Sequence, residues 1–476
     1  MKVLVTHSYF LHFDKKQFEL SKPYPPLATL LAASVLRKNG HEVVFHDVSF
    51  DTSLDAIRNS LTQIKPDVLL ICDDGFNYLT KMCLSNMRQA AFEMLSFSKS
   101  MGVMNLISSS DSTDHYEKYI NAGADLVILG EPEETLVEVL CTEKVNLSSV
   151  KGIAYKLEEQ VICNSRRNVM TDLDALPFAA WDLLNIQPYQ SAWSRHNMFS
   201  INMSTTRGCP FKCNWCAKPI YGNRYNVRSP QNVLNELKYM KQFFNFNHIW
   251  FCDDIFGLKP GWVKAFNDLL SASEDKFRYK IQCRADLLQN EEVVRMLAMS
   301  GADEVWIGAE SGSQKILDAM DKGVTVEQII YSVSLLKQNH IKPCLFLQFG
   351  YPGENYSDIQ KTIRMLMHLN PFDIGVSVSY PLPGTVFYES VKSSMTDKSN
   401  WNDSDELLLM YDGAYGAGFY KKLHRYVHKK FRASQGITEL KKIVSNRRGD
   451  IRKALLTVYY LPYSLFLGLR IKIFKV

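Results

Sequence analysis

Residues 205–222 read TTRGCPFKCNWCAKPIYG, gathering Cys209, Cys213 and Cys216 within eight positions and framing them with Gly208, Pro210, Trp215 and Pro219. The stretch follows the apolar run FSINMSTT (199–206), so the three thiols lie on a loop at the end of a predicted strand, where α/β folds place their chemistry. The spacing C-x3-C-x2-C folds three thiolates around a common centre, with Gly208 and Pro210 shaping the turn and Trp215 shielding it. A structural zinc site is closed and four-coordinate, and iron–sulfur clusters also usually take four thiolates. The next thiol, Cys252, falls inside a predicted strand. Three ligands point to a cluster with one iron left open, with structural zinc as the plainer alternative.

The same alternation of short apolar runs and helical periodicity continues downstream. HIWFCDD (248–254), YKIQCRA (279–285), EVWIGAE (304–310), PCLFLQFG (343–350) and DIGVSVSY (373–380) read as strands. Helical patterns such as PQNVLNELKYMKQFF and NYSDIQKTIRMLMHL separate them. Six strand-and-helix units predict a partial (β/α)6 barrel, with a second open sheet as the alternative.

Upstream, KVLVTH, EVVFHDV, DVLLICD, VMNLISS and DLVILG read as five strands separated by patterns such as PLATLLAASVLRKNG and TKMCLSNMRQAAFEMLSFSKS. Their near-continuous apolar character predicts an α/β, doubly wound parallel (Rossmann-like) sheet covered on both faces. The loop after the first strand, HSYFLHFDKK, contains no glycine, which argues against a dinucleotide. GIAYKLEEQVICN predicts a hairpin turning at Glu158 and Glu159, and LDALPFAAWDLL leads into the second half. The expected division is 1–150 for the first sheet, 151–199 for a connector, 200–395 for the barrel and 396–476 for a basic, partly amphipathic extension.

At 476 residues, with 46% hydrophobic and 12% aromatic side chains, the chain predicts several well-packed cores. The start, MKVLVTHSYF, lacks the pattern of a signal peptide, so the expectation is a reducing cytoplasm in which clustered thiols mean metal or catalysis. Cys72, Cys141, Cys163, Cys252, Cys283 and Cys344 are expected to be small buried hydrophobes. Residues 421–476 hold 15 Lys or Arg against Glu439 and Asp450, a charge of +13; the net +5 therefore leaves −8 for the rest. Sixteen uncharged residues, 454–469, run through this tail, but Pro462 is expected to break them below the length of a bilayer span. Basic and apolar bulk together suit the peripheral surface of an anionic inner membrane, the alternative being a cap packed on the barrel. No nucleic-acid-binding module accompanies the charge.

The cysteine triplet after a barrel strand resembles the signature of the radical S-adenosylmethionine (SAM) superfamily. The resemblance implies that Cys209, Cys213 and Cys216 hold a [4Fe-4S] cluster whose open iron is chelated by SAM, which is cleaved reductively to a 5'-deoxyadenosyl radical. It implies SAM contacts from Asp253 and Asp254 in FCDDIF, Arg284 in QCRADLL, Glu310 and Ser311 in GAESGSQ, and Gly350 and Gly353 in QFGYPGE. It also implies an electron donor such as flavodoxin or ferredoxin.

The preceding sheet and connector, through KPYPPLATLLAASVLRKNGHEVVFHDV, GADLVILGEPEETLVEVL and LPFAAWDLL, resemble those of cobalamin-dependent radical SAM enzymes over residues 1 to about 390. Ser108, Ser109, Gly130 and Glu131 are the implied cobalamin contacts. The D-x-H-x-x-G pattern that supplies a histidine to cobalt in many cobalamin domains is missing: Asp114 and His115 are adjacent, and His7 and His12 read as polar surface or capping residues. The tRNA methylthiotransferase arrangement, another architecture of the superfamily, would need extra cluster cysteines before residue 200 and a terminal RNA-binding barrel. The expected activity is methylation of an unactivated carbon of a small-molecule or lipid-like metabolite through methylcobalamin. An oxidoreductase or cyclase without methyl transfer, and a non-enzymatic cobalamin and cluster sensor, are the alternatives.

Overall fold

The computed structural model describes the chain except residues 77–83, 142–144, 197, 219, 397, 399, 446–448 and 474–476. Pro219, Cys83 and the first residues of the pattern around Cys83 therefore lie outside the described residues. Two compact units interleave along the chain: residues 1–211, 217–281 and 400–405 form one, and 212–216, 282–399 and 406–476 the other.

In the first unit, β1 (Lys2–Thr6), β2 (Glu42–Phe45), β3 (Val68–Cys72), β4 (Met104–Ser108) and β5 (Leu126–Ile128) are parallel. The predicted hairpin, β6 (Ile153–Leu157) and β7 (Gln160–Cys163), adds antiparallel strands to the same sheet, giving the order β2-β1-β3-β4-β5-β6-β7. Successive strand residues face opposite sides. Val3, Val5 and Leu70 meet Ala32 and Leu36 of α1 (Leu27–Lys38), while Leu4, Leu69 and Ile71 belong to the opposite core with Ile57 and Leu61 of α2 (Asp55–Ile64) and Leu95 of α3 (Ser85–Ser100). Burial on both faces is why these strands carry no polar alternation.

The hairpin corrects one expectation and a helix end corrects another. Cys163 is exposed because β7 is an edge strand, and Cys141 is exposed because it ends α4 (Glu133–Cys141); Cys72, Cys252, Cys283 and Cys344 are buried as expected.

The first unit continues with β8 (Ser200–Met203), the short antiparallel pair β9 (Thr206–Arg207) and β10 (Asn226–Val227), α5 (Pro230–Met240), β11 (His248–Phe251), α6 (Trp262–Ala272) and most of β12 (Arg278–Cys283). Strands β8, β11 and β12 pair in parallel, with Ile201 opposite Ile249 and Ile249 opposite Tyr279. Ser229 caps α5 by accepting the Asn232 N–H, and Pro230 fills the first turn, where its missing donor costs nothing.

The second unit contains α7 (Glu291–Met299), β13 (Ala302–Glu310), α8 (Val326–Gln338), β14 (Lys342–Phe349), α9 (Tyr356–Leu369) and β15 (Asp373–Val378), with β13, β14 and β15 parallel. Reciprocal capping boxes, Thr325 with Gln328 and Asn355 with Asp358, start α8 and α9. The barrel strands follow the order β15-β14-β13-β12-β11-β8, a curled half-barrel sheet with the expected six strands.

Two helices end the second unit: α10 (Ala417–Val444) and α11 (Ile451–Ile473). Pro462 lies inside α11 rather than ending it, contrary to the sequence expectation. Proline removes one helical hydrogen bond but leaves φ near the helical value, and packing along α10 carries the helix past it. Residues 451–471 are consequently long and apolar enough for a bilayer span by length and composition.

The loop after β13 touches α9 backbone to backbone: a Cβ on Gly312 would fall 2.7 Å from Thr362 Cα and 2.8 Å from the Lys361 carbonyl oxygen. Gly312→Ala should therefore lower stability by about 1–3 kcal/mol, measured by chemical denaturation of the purified chain.

Candidate functional site

The cysteine loop begins at a buried ion cluster in the first unit. Arg207 closes β9, is 4% exposed, and reaches Glu131 at 2.7 Å and Glu133 at 2.5 Å from the loop and helix after β5. Its guanidinium also stands 5.4 Å from the centre of the Tyr221 ring and 5.9 Å from that of Phe76; those two rings stack at 5.5 Å. Burial alone disfavours the charge, but the two glutamates outweigh it and raise the guanidinium pKa further. The planar fork fits this divided pair of carboxylates in a way that a lysine could not.

Gly208 follows with φ +77°, and a Cβ there would overlap the Arg224 carbonyl oxygen. Arg207 and Gly208 thus deliver the chain to Cys209 on a fixed path. Asp253, expected to contact SAM, shapes the same path: it is 1% exposed and accepts from the Thr205 and Thr206 N–H groups at 2.7 and 2.8 Å and from the Thr205 hydroxyl. Burial pushes its carboxyl up to about 7 against these hydrogen bonds. Asp254 turns its side chain outward and is exposed.

Cys213 and Cys216 lie with the second unit, where the Cys216 N–H donates to the Cys213 carbonyl at 3.2 Å. Arg284 Nη1 donates to Cys213 Sγ at 3.6 Å; Nε reaches Asp286 at 2.9 Å and Nη2 the Lys322 carbonyl at 2.8 Å. Lys322 is 5.8 Å from the Trp215 ring centre and pairs at 2.9 Å with Glu310. Burial opposes the Lys322 charge, while Glu310 and then Cys213 restore it and raise the pKa. Glu310 itself has φ +54°, uncommon for a residue with a side chain, at a register shift between Gly308 and Glu310 at the end of β13. A Cβ at Gly308 would lie 2.8 Å from both Glu310 Oε1 and Lys322 Nζ, so the pair occupies the space that the glycine leaves.

The donor set fits a thiolate-ligated cluster. The Arg284 guanidinium donates to the Cys213 sulfur, and Trp215 Nε1 is buried without an acceptor beside it. Among the described residues, no group of three or more His, Cys, Asp or Glu side chains is already gathered around a metal position.

The other expected SAM contacts have mixed surroundings. Ser311 shares a hydrogen bond with Thr362 at 3.1 Å and accepts the Ser313 N–H. Gly350 donates to Glu354 at 2.7 Å, and its carbonyl accepts from Tyr411. The Gly353 carbonyl accepts from Lys315 at 2.7 Å, with open space beside its Cα. Burial pushes Glu354 up to about 8, so its carboxyl is protonated at neutral pH; its Oε1 has no partner.

At the carboxyl edge of the first sheet, the strand order reverses direction between β1 and β3, where such sheets place ligands. Asp73, just after β3, accepts from the Ser8 N–H at 2.7 Å and hydroxyl at 3.0 Å. His7 is buried, not a surface residue: Nε2 meets Asp47 at 2.9 Å and Nδ1 accepts the Tyr9 N–H at 3.2 Å. Of the expected cobalamin contacts, Ser108 is buried at the end of β4, and Ser109 exchanges hydrogen bonds with Ser112 at a helix start. Gly130 has φ +98° and lies under the Ile220 carbonyl, while Glu131 is held by Arg207 and the Met170 N–H. Ser110 Oγ is buried without a partner, an unmatched group that suits a polar ligand at this edge. Sequence reasoning stopped one residue short of it. Lys322, Glu133 and Arg207 were also missed: no local pattern in the chain marks them.

Residues 203–366 match the Radical SAM superfamily. The chain is 24% identical over 387 residues to an uncharacterized methyltransferase of Pyrococcus horikoshii, covering 79% of this chain and 81% of that protein. It is 22% identical over 404 residues to an anaerobic magnesium-protoporphyrin IX monomethyl ester cyclase of Rubrivivax gelatinosus, covering 82% and 70%. The structure of the cobalamin-dependent S-adenosylmethionine radical enzyme OxsB with aqua-cobalamin bound superposes with a TM-score of 0.76 at 17% identity, over 99% of this chain and 72% of OxsB. The whole chain therefore has the fold of a cobalamin-dependent radical SAM enzyme.

Replacing Arg207 by Ala leaves two buried carboxylates facing each other; the expected loss is about 3–5 kcal/mol in denaturant unfolding, a cost that Lys should only partly recover. For Glu354, folding favours the protonated form, so its contribution is complete below about pH 4.5 and declines as pH rises towards about 8. Glu354→Gln should remove that part of the pH dependence of the unfolding midpoint; an unchanged profile between pH 5 and 8 would contradict the assignment.

Proposed function

We propose that this chain is a cobalamin-dependent radical SAM enzyme that methylates an unactivated carbon of a small-molecule or lipid-like metabolite. The observation that carries the proposal is the joining of a radical SAM barrel, with its three-cysteine loop, to a five-strand parallel sheet in an arrangement shared with OxsB over 99% of the chain. The similarity to a methyltransferase supports methyl transfer. The similarity to a cyclase supports the second reading, hydrogen abstraction followed by cyclisation or oxidation without methyl transfer.

Cys209, Cys213 and Cys216 would hold the cluster, and the carboxyl edge of the first sheet with Ser108, Ser109, Ser110 and Gly130 would hold cobalamin. When bound, the cluster supplies the electron that cleaves SAM, and cobalamin supplies a carrier for the methyl group. Arg284 donates to the Cys213 sulfur and so orients it. Glu310, held by Lys322, presents a fixed carboxylate at a strand end, suited to a SAM hydroxyl or ammonium. Gly353 leaves room beside the backbone for a planar ring, whereas the space beside Gly350 is filled by Leu409 and Tyr420. Arg207 and Asp253 fix the loop that carries Cys209. The electron would come from a donor of the flavodoxin or ferredoxin type.

Anaerobic reconstitution with iron, sulfide and hydroxocobalamin tests both cofactors. The wild type should carry about four irons and one cobalt per chain. The Cys209→Ala, Cys213→Ala, Cys216→Ala triple variant should lose the iron and keep the cobalt. Iron without cobalt would remove the cobalamin reading. Reductant-dependent 5'-deoxyadenosine separates an enzyme from a sensor, and label from the SAM methyl group appearing in product separates methylation from cyclisation.

A further inference from the structure

Most of the large apolar side chains of α11 face away from the protein. Its buried positions are Ala454, Thr457, Ser464, Leu467 and Ile471, whereas Leu455, Val458, Tyr459, Leu465, Phe466 and Leu469 point outward with 49–78% of their surface exposed. A helix folded onto a water-soluble core turns charged and polar residues, not a wide apolar face, to solvent.

The contact with α10 is built from small groups. A Cβ on Gly436 would overlap Thr457, and one on Gly468 would lie 3.1 Å from the Tyr426 ring. Close backbone approach through small residues is how helices associate when their large side chains face lipid. The support is firm, because Arg432 of α10 pairs with Asp373 of β15 at 2.7 Å and Gln435 donates to the Phe372 carbonyl at 2.9 Å.

Charge identifies the partner. Arg452 and Lys453 begin α11, Arg470 and Lys472 end it, and the helix contains no acid. The +13 of residues 421–476, against −8 elsewhere, would repel a second copy of the same face and attract an anionic surface. The helix midpoint decides the orientation: Lys429 stands 4.7–5.9 Å from the ring centres of Tyr459, Tyr460 and Tyr463. An ammonium among phenols belongs at headgroup depth, not at the centre of a bilayer.

We infer that α11 is an in-plane membrane anchor, with its outward apolar face set into the acyl boundary of an anionic bilayer and its terminal Lys and Arg residues among the lipid phosphates. This surface lies outside the radical chemistry and does not depend on the reaction proposed above.

The test is flotation of the full-length chain with vesicles of phosphatidylglycerol and phosphatidylcholine, and with phosphatidylcholine alone. The wild type should float with the anionic vesicles, and binding should fall at least about tenfold on neutral vesicles or in high salt. The Leu455→Ser, Val458→Ser, Leu465→Ser variant should lose binding at least about tenfold while keeping its thermal midpoint, because these side chains are exposed. A second variant, Arg452→Gln with Lys453→Gln, should weaken binding to anionic vesicles only. Absence of wild-type flotation, equal binding to neutral vesicles, or full binding by the serine variant would each overturn the inference. So would a stable dimer in solution that the serine substitutions dissociate, since a second copy would then be the occupant.

Discussion

The guanidinium of Arg207, buried between Glu131 and Glu133, is the contact on which the arrangement of the first unit turns. A buried charge is tolerated only where its partners are fixed, and here they come from the loop and helix after the last parallel strand of the sheet. The residue that supplies the charge stands two positions before Cys209. Sheet edge and cysteine loop are therefore joined by an interaction too costly to break, and Tyr221 and Phe76 shield it from water.

A second buried pair, Lys322 with Glu310, plays the corresponding part in the second unit. The two pairs differ in kind. Arg207 uses its fork to bridge two carboxylates, whereas Lys322 is a single point charge beside Trp215 whose own charge Glu310 and Cys213 support. Around them, Asp253 and Ser311 use their hydrogen-bonding capacity on the protein itself. Polar residues at strand ends thus divide between those that build the loops and those such as Glu310 that are held in an unusual backbone conformation with the carboxylate fixed.

The terminal helices show why composition must be read together with packing. The apolar run from Ala454 and the basic residues around it are plain in the sequence, but the face each residue presents depends on α10. Pro462 looked like a break because proline lacks a donor; along a neighbouring helix the loss of one hydrogen bond is not enough to end α11. Cys141 and Cys163 made the converse point, since apolar surroundings in sequence did not bury residues at a helix end and on an edge strand.

Strand and helix order, the parallel sheets, the cysteine loop and the charge of the tail were determined by the sequence alone, because periodicity, spacing and charge are local properties of a chain. The partners of Arg207, Asp253 and Glu310 were decided only by the tertiary structure. Glu131 and Glu133 lie more than 70 residues from Arg207, and Asp253 lies 47 and 48 residues from Thr206 and Thr205. Whether a carboxylate at a strand end faces a ligand or ties down its own loop depends on which donors the fold brings within about 3 Å. No repeat or motif along the chain encodes that distance.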